Sequence, residues 1–358
     1  MKLRGLLAVP LLLLVGAALE ARAQACSSEG GSLRRTLAVN VLDERMQPVS
    51  GLTAADFRGR FRDEEVRIVS VTADTQPRRI VLLVDVSESM ATRVGRWGLA
   101  VEAAEHLLGT GPPDSTIALV TFAEKVEART GFEFETQKAR QALKAVRPAG
   151  DSSDPSGTRT ALRDAVMEAT RLLTPSRTGD AIYLITDGYD TFSRAKDEEV
   201  EAALLGSGAR LFAVVLPDWA GPSLFVETPQ GPAGMPSFIL LPLTTALTVP
   251  APRLGESGGA VALRALVDAS GGLGMTAGAV GTSAPRFDYN EKQRGWFFSQ
   301  AHLLYGAMGE FYRLDVELPE EPDRLREWRL EVVGADGKKL KDVYTVYPRK
   351  LAPCASDH

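Results

Sequence analysis

The chain has 358 residues, 44% of them hydrophobic, enough for one large core and a smaller accessory unit. Its 41 Lys and Arg stand against 46 Asp and Glu, and no basic block or aromatic-interleaved basic stripe tracks a phosphate backbone, so nucleic acid is excluded as an expected partner. Beyond the first residues no stretch approaches the roughly 18 apolar residues of a membrane helix.

At the start, Lys2 and Arg4 precede an apolar run from Leu6 to Leu19, and Ala21 and Ala23 form an A-x-A cleavage pattern before Gln24. Residues 1–23 are expected to be a signal peptide and 24–34 a flexible leader, which predicts an exported protein, periplasmic, cell-envelope or extracellular. Export would put Cys26 and Cys354 in an oxidising compartment. Either they pair across the two ends of the mature chain, or Cys26 is acylated within Ala23-Gln24-Ala25-Cys26 and tethers the chain to a membrane.

Leu37, Val39 and Val41 alternate with small or polar residues, turn chemistry follows at Glu44 to Ser50, and a second alternation surrounds Val66 and Ile68. These features predict a small β-unit over 35–77. From Arg79 the pattern changes to uninterrupted apolar runs at Ile80–Val84, Thr116–Phe122, Ala181–Thr186 and Leu211–Leu216. Helical stripes lie between them: Trp97, Val101, Ala104 and Leu108 led by Val94, then Leu162, Val166, Ala169 and Leu173. Continuous apolar strands alternating with helices imply a sheet covered on both faces, so 78–310 is expected to be an α/β domain with a doubly wound, mostly parallel, Rossmann-like sheet.

Between Pro217 and Gly259, prolines at 222, 229, 232, 236, 242, 250 and 252 interrupt regular structure, which predicts an exposed insertion over 217–259. Helical spacing resumes at Leu263, Leu266 and Val267. Over 311–350 alternation returns, with Tyr312, Leu314, Val316 and Leu318 facing one way, then Trp328, Leu330 and Val332 before an Asp336-Gly337 hairpin turn. These strands either add an antiparallel edge to the main sheet or pack with the amino-terminal β-unit.

The first buried strand ends Val84-Asp85-Val86-Ser87-Glu88-Ser89-Met90. In open α/β sheets ligands bind at the carboxyl ends of strands, so these oxygens stand where a site is expected. A second buried strand ends Thr186-Asp187-Gly188, bringing another carboxylate to that edge, and the glycine lets the chain turn away. Between them, Thr160 precedes a helix and its hydroxyl could close the site from a third loop. Hard oxygen donors of this kind suit Mg²⁺, with Mn²⁺ or Ca²⁺ as alternatives.

The series D-x-S-x-S, loop threonine, T-D-G resembles the metal-ion-dependent adhesion site of von Willebrand factor type A domains. The resemblance implies metal ligation by Asp85, Ser87, Ser89, Thr160 and Asp187, with the open metal position filled by an Asp or Glu of a protein partner. Thr160-Ala161-Leu162-Arg163-Asp164-Ala165 is similar to the run after the metal threonine in such domains, and Thr158 is the alternative ligand. The segment from Pro48 to Phe57 also resembles the leader before these domains in exported bacterial proteins. The resemblance spans roughly 79–310, departing from the family at the Pro-rich insertion.

Two rivals remain. Gly255-Glu256-Ser257-Gly258-Gly259 is superficially like a serine-protease nucleophile motif, but only His106, His302 and His358 exist as bases and none lies in a catalytic motif, so no enzyme is expected. Glu88 is the only acid beside the first motif and is expected to face solvent, which leaves metal-assisted hydrolysis without a base. A structural or assembly module of the envelope with a vestigial metal site is the stronger alternative.

Overall fold

The computed structural model describes residues 27–29, 32–132, 136–148, 159–217, 223–225, 258–277 and 286–354. The expected signal segment 1–23, Cys26, Thr158, Ser257, His358 and most of the insertion 217–259 lie outside them.

The chain begins with β1 (Ser27–Glu29) and β2 (Ser32–Asp43), then passes through a 3-10 turn at Ala54–Asp56 into β3 (Phe57–Phe61) and β4 (Glu64–Asp74). Next come β5 (Arg79–Asp85), α1 (Glu88–Thr92), α2 (Arg96–Thr110), β6 (Thr116–Phe122), β7 (Val126–Ala128), α3 (Gln137–Ala145) and α4 (Leu162–Leu172). They are followed by β8 (Ala181–Thr186), α5 (Asp197–Ser207), β9 (Arg210–Val215), β10 (Ser223–Phe225), α6 (Gly258–Ala269), β11 (Gly274–Thr276) and α7 (Glu291–Gly309). The last strands are β12 (Phe311–Leu318), β13 (Arg326–Val332), β14 (Val343–Val346) and β15 (Lys350–Leu351).

One sheet has seven strands in the order β10-β11-β9-β8-β5-β6-β7. Its inner strands run parallel, whereas β7 and β10 are antiparallel edges, so the sheet is mixed where the sequence suggests a mostly parallel one. The apolar runs have a direct cause: in β5, Ile80, Leu82 and Val84 enter a core shared with α2, α3 and α7, while Val81 and Leu83 enter another shared with α4, α5 and α6. No face of the strand meets water, so no polar alternation is needed. The stripe expected on α2 is shifted in phase. Leu99, Ala100, Ala103, Ala104, Leu107 and Leu108 are buried, Trp97 and Val101 are half-buried, and Val94 is 56% exposed.

The other sheet has eight strands, running β1-β2-β12-β4-β3-β13-β15, with β14 also paired to β2. It is antiparallel throughout. β12 inserts between β2 and β4, so the carboxy-terminal strands pack with the amino-terminal β-unit and the two expected accessory units form a single sheet. Because β14 pairs with β2 and the adjoining β15 pairs with β13, the sheet curls around Phe61, Leu314, Val316, Leu330 and Leu351. Cys354, just beyond it, is disulfide-bonded, and the chain has one other cysteine, Cys26.

Candidate functional site

β5 and β8 are parallel neighbours with Val84 opposite Ile185, so their carboxyl ends carry Asp85 and Thr186-Asp187 to one point of the sheet edge. Both carboxylates are buried, at 0% and 1% exposure. Asp85 is fixed through both oxygens: Oδ1 accepts the Ser87 N–H at 2.9 Å and Oδ2 accepts the Thr186 hydroxyl at 2.7 Å. Ser87 is the N-cap of α1, and its Oγ lies 2.9 Å from Ser89 Oγ. Asp187 Oδ1 accepts the Tyr189 N–H at 3.2 Å, and Oδ2 accepts Arg96 Nη1 at 3.3 Å. Gly188, with φ of 90°, then turns the chain away in a conformation that a side chain would strain.

The third loop is sewn to the other two. Thr160 is 3% exposed; its carbonyl accepts the N–H groups of Thr191 and Phe192, each at 2.9 Å, and its own N–H donates to Thr191 Oγ1 at 3.0 Å. Ala161 N–H donates to Ala123 O at 2.8 Å, just past the end of β6, where Phe122 lies opposite Asp85. The first turn of α4 holds the loop after β8: Arg163 N–H donates to Asp190 Oδ2, and the Asp164 carboxylate accepts the N–H groups of Arg194 and Ala195. The loops bearing Asp85, Ser87 and Ser89, then Thr160, then Asp187 therefore meet at one edge of the sheet. Thr158 lies outside the described residues.

Burial first, and then repulsion from Asp187, push the Asp85 carboxyl up to about 7, against the lowering effect of its hydrogen bonds to Ser87 and Thr186. Burial likewise pulls Arg96 below the usual arginine range, opposed by the Asp187 carboxylate. Two buried carboxylates that repel each other, beside hydroxyl oxygens, make a donor set that fits a hard divalent cation. Among the described residues no group of three or more His, Cys, Asp or Glu side chains could hold a metal; any cation here would rest on two carboxylates and on hydroxyls.

Other chemistry lies elsewhere. His106 is ten residues along α2 from Arg96, about 15 Å of helix, with its ring stacked on Phe298 at 4.4 Å and Nδ1 3.2 Å from the Tyr305 hydroxyl. A cavity of about 250 Å³, lined by Arg78, Arg79, Thr116, Asp180 and Arg313 among others, opens at the opposite ends of the strands and shares no residue with the Asp85 edge. Two contributors were not picked out from the sequence. Thr186 had a signal, being part of T-D-G, but Arg96 had none, since an arginine at the start of a helix reads as a solvated residue.

Residues 80–189 match the family model for the von Willebrand factor type A domain. Among solved structures the chain is similar to a conserved hypothetical protein, BatB, from Bacteroides thetaiotaomicron, at 19% identity over 64% of this chain and 98% of that one, with a TM-score of 0.38. An aerotolerance-related membrane protein from Bacteroides fragilis NCTC 9343 is similar at 17% identity over 63% and 99%, with a TM-score of 0.39. Proximal thread matrix protein 1 from the mussel byssus, in a structure with a zinc-occupied MIDAS motif, is similar at 21% identity over 41% and 38%, with a TM-score of 0.34. No curated protein matches the chain.

Proposed function

The chain carries a von Willebrand factor type A domain at residues 80–189, and we propose that this domain is a protein-binding, adhesion-type module whose contact is made through a divalent cation. The cation, Mg²⁺ with Mn²⁺ and Ca²⁺ as alternatives, is held by Asp85, Ser87, Ser89, Thr160 and Asp187. When bound it supplies an electrophilic position for an Asp or Glu of the partner, because hydroxyl ligands donate weakly and two carboxylates only balance its charge. Read outward from β5, the order of the parallel strands supports a doubly wound arrangement with this edge at its switch point. The protein acts without catalysis, outside the cytoplasm, having been exported by residues 1–23. Among the described residues no helix is long and apolar enough to cross a membrane.

The observation that carries this reading is the pair of buried carboxylates, Asp85 and Asp187, which repel each other at one edge of the sheet. A group that binds only the folded state stabilises it, by about 2.7 kcal/mol at a hundredfold excess over Kd. The wild-type protein is expected to melt at a higher temperature in Mg²⁺ than in chelator, and Asp85→Ala to show no such difference. Identical wild-type melting in both conditions would remove the metal from the function. One observation favours a second reading, a structural module with a vestigial site: Arg96 already places a positive charge against Asp187.

A further inference from the structure

Arg96 is buried to 1% exposure although it opens α2 at the molecule's edge. Its Nη1 donates to the carbonyl of Ser89 at 2.8 Å and to Asp187 Oδ2 at 3.3 Å, so one guanidinium spans the first and last of the three loops. It is also held from behind, with its guanidinium carbon 5.0 Å from the centre of the Phe287 ring. The turn that aims it is locked: Phe287 N–H donates to Val94 O at 2.7 Å, and Gly95 has φ of 80° with room for no side chain, since a Cβ there would stand 2.6 Å from the Asp288 nitrogen. The backbone turn and the ring behind it hold the guanidinium against the first and last loops.

We propose that Arg96 is a fixed internal counter-charge for the cation site, and that it sets how tightly the cation is held. This rests on the metal-binding reading above. With both carboxylates ionised, the site presents two negative charges, and Arg96 reduces the net to one. It also occupies Asp187 Oδ2, an oxygen otherwise open to a cation or its water. The consequence is twofold: the metal-free site is stable enough to stay folded, and cation affinity is held low, so that cation and acidic partner support each other's binding. Arg96 is a positioning residue and does not itself touch the cation.

The test is a calorimetric titration of the full chain with Mg²⁺, run on wild type, Arg96→Gln and Arg96→Lys. Removing a positive charge this close is expected to tighten Mg²⁺ roughly tenfold or more in Arg96→Gln, while Arg96→Lys, which keeps the charge, stays within about threefold of wild type. In chelator Arg96→Gln should melt below wild type, and saturating Mg²⁺ should close the gap. Should Arg96→Gln not fold, the same titration is made on Arg96→Met, which keeps the length of the side chain and removes its charge, and a similar tightening of Mg²⁺ is expected. Binding by wild type with equal or weaker affinity in Arg96→Gln overturns this inference alone. No Mg²⁺ binding by either protein overturns both it and the metal site.

Discussion

A carboxylate placed at the end of a buried strand must be balanced, and Asp85 shows how far local hydrogen bonds can do it. Two donors, Ser87 N–H and the Thr186 hydroxyl, lower its pKa, yet burial and the neighbouring Asp187 still raise it to about 7. The sign of the pH effect follows. Unfolded, Asp85 loses its proton near 4; folded, it keeps it to about 7, so across that window the folded state binds more protons and stability falls as pH rises. Other groups titrate too, with Asp180 raised and His106 lowered by burial, so the useful quantity is a difference. In chelator, the melting temperature of Asp85→Asn relative to wild type is expected to climb between pH 5 and pH 8, and Mg²⁺ should cancel the trend in wild type by replacing the proton. A constant difference across that range would show that Asp85 carries no strained charge. At this scale the sequence was informative where oxygen-bearing side chains followed strand ends, as at Asp85, Ser87, Ser89 and Asp187. It was silent at Arg96, whose burial depends on Phe287, remote in the chain, and on a glycine turn that composition does not reveal.

At the scale of elements, strands read more clearly than helices. β5, β6, β8 and β9 were legible because burial on both faces forces every residue to be apolar. The stripe of α2 is legible only in part: Ala104 and Leu108 are buried as expected, but Leu99, Ala100, Ala103 and Leu107 share that face, while Trp97 and Val101 pack at the flank of the core. Helix α4 was read in phase, and its first turn also has a task that its apolar stripe does not disclose. Asp164 accepts two backbone N–H groups from Arg194 and Ala195, so the helix start clamps the loop that follows Asp187. Asp164→Ala leaves those donors without their acceptor and is expected to cost about 2 kcal/mol in denaturant unfolding. It should also weaken Mg²⁺ binding several-fold without altering a proposed ligand, through a looser Thr160 loop. Unchanged affinity in that variant would mean that the three loops are positioned independently.

For the whole molecule, the deciding contacts are those that local pattern cannot foretell. β12 pairs with β2 across most of the chain's length, Tyr312 opposite Val39, and strand alternation alone gives no partner. The two sheets meet through apolar residues, with Leu42, Met46 and Val346 joining the core around α2 and α7, and through a polar junction beside them. The carboxyl end of α7 presents carbonyls to a buried junction, where Arg210 donates to Ala307 O and Met308 O at 3.0 and 3.1 Å and to Asn40 Oδ1 at 2.8 Å. Asn40 Nδ2 donates to Ala307 O and Glu310 O, and Arg78 Nη2 to Gly309 O, with the Phe311 ring between the two arginines at 4.3 and 4.4 Å. Burial and then the like charge of Arg78 lower the Arg210 guanidinium to about 9, which still leaves it charged at neutral pH, and the negative end of the α7 dipole favours that charge. Arg210→Met keeps the length of the side chain but orphans those acceptors, so a loss of about 3 kcal/mol in unfolding free energy is expected. Arg210 begins β9, whereas the candidate site lies beyond the opposite ends of β5 and β8, so Mg²⁺ affinity of the folded variant should equal that of wild type. A loss below about 1 kcal/mol would mean that apolar packing alone holds the sheets together. Weakened Mg²⁺ binding at preserved stability would instead show that the junction communicates with the site along β9 and β8.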